Sequence, residues 1–294
     1  ITMQISIPLI EQSECTHLAH QAHALTTLTP HSNPPILIHP LNTGLAIRTT
    51  TTATNKLNRA VGLAISTPLT PHDLTTLEHL YADIHLHPEI HLAETAHPAA
   101  GILLRERGCE DVGEVGVYVL SLDSVALGHG DGGRDGIEVL EVINPTEEER
   151  EEFVAASVAG FRDTGRSEEL LALLARLAAV RGDTGVFVAR GATEEVVGCA
   201  ALGVLDTCLS DGGGDVKGKG GREKIGHLYL DSTVPGYRGM GVHRALIRAR
   251  LKKCRELGLR VVTLATKVGG GSARNAEREG FELGYRKGVW VYTS

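Results

Sequence analysis

No apolar run in the 294-residue chain approaches the ~20 residues that a membrane helix needs, so a membrane partner is not expected. No secretory signal is visible either, and Ile1-Thr2 ahead of Met3 reads as a tag remnant. The five cysteines (15, 109, 199, 208 and 254) are odd in number, scattered, and never spaced C-x-x-C. That excludes a disulfide framework or a zinc ribbon and fits reduced thiols in a cytoplasmic protein. A net charge of −7 argues against nucleic acid as the main partner. What remains is a chain that is 42% hydrophobic, enough for a sizeable core and long enough for two domains.

The two halves differ. Residues 1–133 carry five Lys/Arg against thirteen Asp/Glu, whereas the remainder is balanced at 24 and 23. Eleven of the fourteen histidines fall in the first 97 residues. The glycine-rich stretch 127–136 reads as a linker, dividing the chain into 1–126 and 137–294. An anionic ligand is expected in the second half.

There the stretch Asp231–Leu251 stands out. An apolar strand ends at Val234-Pro235, since proline has no N–H for a ladder. Tyr237-Arg-Gly-Met-Gly-Val-His243 follows, with glycines at 239 and 241 that allow a ligand close to the main chain. Val242, Ala245, Leu246, Ala249 and Leu251 then recur at helical spacing among arginines and lysines. A glycine loop opening a helix leaves N–H groups unpaired at the positive end of the helix dipole, a site for pyrophosphate. Arg238 adds a charge at its mouth. The spacing is neither that of a P-loop, since no Lys-Ser/Thr follows, nor G-x-G-x-x-G, since position 244 is Arg.

This R-x-x-G-x-(G/A) pattern, carried by Arg238, Gly241 and His243, resembles the acetyl-CoA loop of the GNAT superfamily of N-acetyltransferases. His243 stands where the family usually has Gly or Ala. The ending agrees: a β-branched run Val261–Ala265, a short helix from Ser272 closed by Gly280-Phe281, then one or two strands over Glu282–Tyr292. The motif-level resemblance covers residues 225–292. It implies an α/β fold with a mixed sheet, built as two tandem GNAT-like domains.

The first half supports the tandem reading. Helix near Ile10–Leu25, β-rich Gly44–Thr52, strand Asn58–Ser66, helix from the Thr70 cap to Asp83, strand Glu89–Glu94, helix Pro98–Arg107 and strand Val112–Leu122 repeat the order of the second half. Thr67-Pro-Leu-Thr-Pro-His72 occupies the place of the loop without its glycine or arginine, so residues 3–126 are expected to be a degenerate copy that does not bind CoA. The second half opens with strand Ile137–Val142, a helix with a Thr146/Glu149 capping box, a helix from Ser167 and a hairpin over 185–205.

The resemblance implies acetyl-CoA as co-substrate. Ser232, Thr233 and Val234 on the strand, Arg238, Gly239, Met240, Gly241, Val242, His243 and Arg244 in the loop, and Ser272 and Asn275 beyond it would bind the cofactor. The strand is expected to splay from its neighbour and admit the acetyl group. Acetyl transfer needs a base with a pKa near ~7, a polarised carbonyl and a proton for the leaving thiol. His227 and Asp231 share one face of the strand by its period of two and are candidates for the base. The family's usual tyrosine position falls on Ala276, which leaves Tyr285, a water, or impaired transfer. Histidine groups at 17/20/23 and 85/87/91 lack a clear fourth ligand, and no metal is expected. The reading is an acetyltransferase acting on a small primary amine or amino-acid-like acceptor. The alternatives are a CoA-binding pseudo-enzyme or partner-binding module, and a GNAT-fold enzyme with a different reaction. The sequence does not give the oligomeric state.

Overall fold

A computed structural model describes residues 6–123, 136–207 and 223–293. The expected linker at 127–136, apart from Gly136, and the loop at 208–222 lie outside the described residues. The first half runs α1 (Ile7–Leu28), β1 (Leu37–Leu41), β2 (Gly44–Arg48), a four-residue α2 (Thr54–Leu57), β3 (Arg59–Val61), α3 (Pro71–Ala82), β4 (Glu89–Ala93), α4 (Ala99–Glu106) and β5 (Cys109–Ser121). The second runs β6 (Glu138–Val142), α5 (Glu147–Phe161), α6 (Glu168–Val180), β7 (Thr184–Arg190), β8 (Val196–Thr207), β9 (Glu223–Thr233), α7 (Val242–Glu256), β10 (Val261–Thr266), α8 (Gly271–Arg278) and β11 (Glu282–Tyr292).

The local signals act as their chemistry requires. Thr70 with Asp73 and Thr146 with Glu149 form reciprocal capping boxes at α3 and α5. The strand expected over Asn58–Ser66 is only three residues long. Gly62, at φ 71°, turns the chain away, and it lies so close to α1 that a Cβ there would meet Cys15 Sγ at 2.7 Å. The side chains of Asn42 and Thr43 then take the amides of Ala64 and Ile65.

All strands join one sheet in the order β1-β2-β3-β4-β11-β5-β10-β9-β8-β7-β6. Every neighbouring pair is antiparallel except β3–β4 and β9–β10. Each half therefore has a hairpin, a third strand, a crossover helix (α3 or α7), a parallel fourth strand and a second helix (α4 or α8). The final strands cross over: β11 inserts between β4 and β5, and β5 between β11 and β10. The halves share the centre of one sheet.

Helices α3 and α4 cover one face beside β1–β4, burying Leu74, Leu77, Tyr81 and Leu104 against Trp290. On the same face α7 and α8 bury Val242, Leu246, Ile247 and Ala276 against β5 and β7–β10. The opposite face is covered by α5 and α6 over β7 and β8, and by α1 over the seam. Leu9 and Ile10 of α1 touch Val117, Ile225 and Val261, while Leu18 and Ala22 touch Ile47 and Val61.

Beneath α1 lies an ionic lock between the halves. Lys287, 1% exposed on β11, binds Glu11 at 2.5 Å and also pairs with Glu14, both from α1. Burial alone would raise the Glu14 carboxyl, but the Lys287 charge outweighs it and holds the group at about 2. Lys287→Met leaves two carboxylates without their cation, which costs about 3–5 kcal/mol when a buried pair is broken. A urea titration reads this as a lower midpoint, with Glu11→Gln/Glu14→Gln/Lys287→Met recovering most of the loss. An unchanged midpoint for Lys287→Met would mean that the lock does not hold α1.

Candidate active site

The site is built around the way β9 leaves its neighbour. Parallel pairing of β9 with β10 runs from Ile225/Val261 to Leu228/Leu264 and stops there. On the other side β9 stays paired with β8, but the register shifts between Cys199/Ser232 and Ala201/Tyr229. Leu230 sits in that bulge at φ 57°, a conformation costly for a branched side chain. The two strands thus form a V that opens beyond Leu228.

At the mouth of the V, Gly239 (φ 81°) and Gly241 (φ 90°) carry the loop into α7, and no atom lies within 4 Å of where a Cβ would stand at either. Gly241 cannot cap the helix with a side chain. Among the described residues the amides of Gly239, Gly241, Val242, His243 and Arg244 meet no backbone carbonyl. These orphaned donors at a helix N-terminus suit a pyrophosphate. The equivalent turn before α3 is closed: Pro71 has no N–H, and Thr70 takes the amide of Asp73.

The loop faces a cleft of about 1230 Å³. Of the sequence candidates, Asp231, Thr233, Arg238, Gly239, Gly241, Val242, His243, Arg244, Ser272 and Asn275 line it. Ser232, Val234 and Met240 do not. Ser232 Oγ donates to Ala156 O at 2.9 Å on the α5 face, and the Val234 amide donates to Val197 O at 3.0 Å. Met240 points outward, 45% exposed. Gly160, Tyr237, Ala245, Arg248, Gly271 and Arg278 also line the cleft and were not foreseen. Arg248 was the legible one, four residues past Arg244 on the same helix face. The approach of Gly160 to β9, where a Cβ would meet Ser232 Oγ at 1.9 Å, leaves no local mark in the sequence.

The cations of the cleft are held by acids. Arg238 donates to Asp163 Oδ2 at 2.6 Å and to Gly160 O at 3.0 Å, so it is turned toward the end of α5. Arg244 and Arg248 each donate through Nε to one oxygen of Glu279, at 2.6 and 2.7 Å. A hydrogen-bonded chain spans from α8 to β9. Arg278 donates to Asn275 Oδ1 at 3.2 Å, Asn275 Nδ2 donates to His243 Nδ1 at 2.9 Å, and His243 Nε2 donates to Asp231 at 3.2 Å. His243 thus fills its place in the loop by bridging two elements, and its backbone amide stays free.

Two of the three catalytic expectations need correction, and both for reasons of facing. The bulge at Leu230 breaks the alternation, so Asp231 does not share a face with His227. It turns to the α7 side and forms a two-pronged pair with the fully buried Arg250. Burial would raise Asp231, but Arg250 and His243 hold it at about 2. That makes it a structural anion rather than a base. Tyr285 lies under α1, buried on the face opposite the cleft, where its hydroxyl donates to Glu11. Burial and the two glutamates push it far above the usual phenol range, so it holds its proton firmly and is a poor acid. Ala276 is itself fully buried in the core.

His227 lies one residue before the last position of β9 that pairs with β10, on the α1 face. It shares a hydrogen bond with Thr263 at 3.1 Å, and its ring centroid is 4.7 Å from that of His17. Burial, with the charges of Arg181, Lys287 and Arg59, holds its pKa at about 4 against the favourable pull of Glu14. It is therefore a neutral imidazole at pH 7. His17 accepts from Arg181 at 3.2 Å, and His20 donates to Asp183 at 2.7 Å, so neither is arranged as a metal ligand. Among the described residues no group of three or more metal-binding side chains converges, and no helix is long and apolar enough to cross a membrane.

Comparison with known proteins agrees with this placement. Residues 147–281 match the model of the acetyltransferase (GNAT) family. A search of curated proteins gives no match. Among solved structures, a GCN5-related N-acetyltransferase from Kribbella flavida aligns at TM-score 0.61 and 16% identity, covering 94% of this chain and 96% of its own. A conserved protein of unknown function from Staphylococcus epidermidis aligns at 0.55 and 13%, covering 85% and 91%. A tandem GNAT protein from the clavulanic acid biosynthesis pathway aligns at 0.50 and 15%, covering 74% and 66%. These similarities extend the shared fold over both halves, and the loop, the V and the uncapped α7 all fall within the matched span: residues 147–281 match the acetyltransferase (GNAT) family, and the chain has the fold of a tandem GNAT protein.

Proposed function

We propose that the protein transfers an acetyl group from acetyl-CoA to the primary amine of a small acceptor. The observation that carries this reading is the V between β9 and β10, with five unpaired amides of an uncapped glycine loop at its mouth. The Gly239–Arg244 amides would take the pyrophosphate, and Ser272 and Asn275 would flank the arm of the cofactor. Arg238, Arg244 and Arg248 exchange a carboxylate for a phosphate at little electrostatic cost. Acetyl-CoA, when bound, supplies the thioester carbonyl. Backbone N–H groups of β9 beyond Leu228, where pairing with β10 ends, would polarise it.

His227, neutral at pH 7 and one residue before the opening of the V, would receive the proton of the attacking amine and, with a pKa of about 4, pass it on to solvent and not hold it. Asp231 keeps Arg250 and His243 in place. Ala276 stands at the family's usual tyrosine position, so no tyrosine of α8 protonates the leaving sulfur, and solvent would supply the proton. That same lack is what a CoA-binding module without turnover would show, and a thiol-release assay separates the two.

Calorimetry should give one acetyl-CoA per chain, and Arg238→Glu should weaken it at least tenfold by placing two carboxylates where one now meets a cation. Two sites, or unchanged affinity in the variant, would overturn the assignment of the loop. His227→Gln should lower kcat by about 100-fold with the affinity for acetyl-CoA unchanged. The imidazole also sets a pH window. Its native pKa of about 4 lies below the ordinary 6.5, so the unfolded chain binds the extra proton first. Stability therefore falls as pH drops from 6.5 toward 4, and thermal melts of His227→Gln should flatten over that range. A parallel pH dependence in variant and parent would place His227 in solvent instead.

A further inference from the structure

On the α1 face, where the V begins, three rings and a hydroxyl pack together. His227 and Tyr229 alternate onto this face of β9, with ring centroids 6.0 Å apart. His17 of α1 lies against both, at 4.7 and 4.6 Å. Thr263 of β10 is the ladder partner of His227, one pair before the ladder ends, and is 1% exposed. The other polar groups around the His227 ring are engaged elsewhere. The Tyr229 hydroxyl is 3.0 Å from Thr184 Oγ1, and His17 Nδ1 accepts from Arg181 at 3.2 Å. Among the described residues the Thr263 hydroxyl, 3.1 Å from Nδ1, is the one hydrogen-bond partner of the His227 ring.

That hydroxyl has a single hydrogen and two neighbours able to take it, His227 Nδ1 at 3.1 Å and Gly226 O at 3.4 Å. If the hydrogen goes to Nδ1, the contact with Gly226 O carries none, and the neutral ring keeps its own hydrogen on Nε2. If instead Nδ1–H donates to Thr263, the hydroxyl donates onward to Gly226 O, and both contacts are hydrogen bonds at once. The second arrangement satisfies every group, and a buried network settles on the arrangement that does so. It leaves Nε2 as a bare lone pair without a protein partner, on a residue that is half-buried rather than enclosed. The difference decides whether the ring can act. With the hydrogen on Nε2, the lone pair would lie on Nδ1, covered by the buried Thr263, where no amine reaches it.

We propose that Thr263 is a positioning residue for acetyl transfer: its hydroxyl, anchored on Gly226 O, accepts the Nδ1–H of His227 and so leaves Nε2 bare as the base. The inference rests on the transferase reading above, with His227 as its base. The proton that the amine gives up goes to Nε2 and on to solvent, while Nδ1 keeps its own hydrogen against Thr263. The leaving sulfur takes its proton from solvent. The place of the pair in the ladder matters. At His227/Thr263 the two strands are still held together, whereas beyond Leu228/Leu264 no residue of β10 faces β9 closely enough to orient a side chain. The branched Cβ of threonine adds stiffness, since its rotamers are few.

Two readouts test this. In 15N-labelled protein at pH 7, two-bond 15N–1H spectra separate bare ring nitrogens from those that carry hydrogen, and loss of a signal in His227→Gln identifies the ring. The parent and Thr263→Ser should show hydrogen on Nδ1 of His227 and none on Nε2. Thr263→Val, of similar shape but without the acceptor, should move the ring toward the Nε2–H form. In a thiol-release assay on an amine panel, Thr263→Val should lower kcat about tenfold, the worth of one hydrogen bond, with KM for acetyl-CoA unchanged. Thr263→Ser should restore it. Hydrogen on Nε2 in the parent overturns the proposal, and this reading needs no variant of Thr263 to fold. A fall in kcat for Thr263→Val with the His227 tautomer unchanged, or no change in either, also overturns it. Absence of turnover by a parent that shows the Nδ1–H form overturns the transferase reading and leaves the hold of Thr263 on His227 established.

Discussion

The second half of the molecule depends on one irregularity, the bulge at Leu230. A β-strand that continued its pairing would fill the space between β9 and β10 with ladder hydrogen bonds and leave no opening in the sheet. By taking Leu230 into the left-handed region, the chain inserts one extra residue opposite β8, while pairing to β10 ends at Leu228. Strain of this kind, of order 1–3 kcal/mol, persists only where the surroundings enforce it. Here they do: Ser232 is bonded into the end of α5, and Asp231 is locked to Arg250 of α7. The bulge opens the V, frees the amides along it, and sends Asp231 and His227 to opposite faces.

The second constraint is the crossing of the final strands. Because β5 and β11 lie in one another's half, neither half closes its sheet alone, and α1 must lie across the seam to cover it. Polar groups under a helix at such a seam have to pair with each other. Lys287 with Glu11 and Glu14, Glu89 with His91, and Arg181 with Asp183 do so.

The two halves also show how one element order serves different chemistry. Helices α3 and α7 occupy equivalent places, each leading from a third strand to a parallel fourth. At α3 a proline and a Thr–Asp capping box use up the helix terminus. At α7 two glycines with no capping side chain leave the terminus open. The fold is shared, and the difference between an inert turn and a phosphate site is made by which residues satisfy four or five amides.

Much of this was legible from local chemistry. Capping residues, glycine stops, the glycine loop before α7 and the order of elements act through neighbours a few residues away, and the amino-acid sequence alone determined them. Facing across the sheet was not legible. Period two placed Asp231 with His227, and a bulge that nothing in Tyr229-Leu-Asp231 announces reversed it. Arg250 could have been suspected as a core residue from its spacing of four from Leu246, but its partner could not. Tyr285 was named as an acid because its distance from the cleft depends on where β11 is inserted, between two strands of the other half. The tertiary structure alone decided these points. Burial and charge pairing depend on residues far apart in the chain, whereas caps and turns depend on residues next to one another.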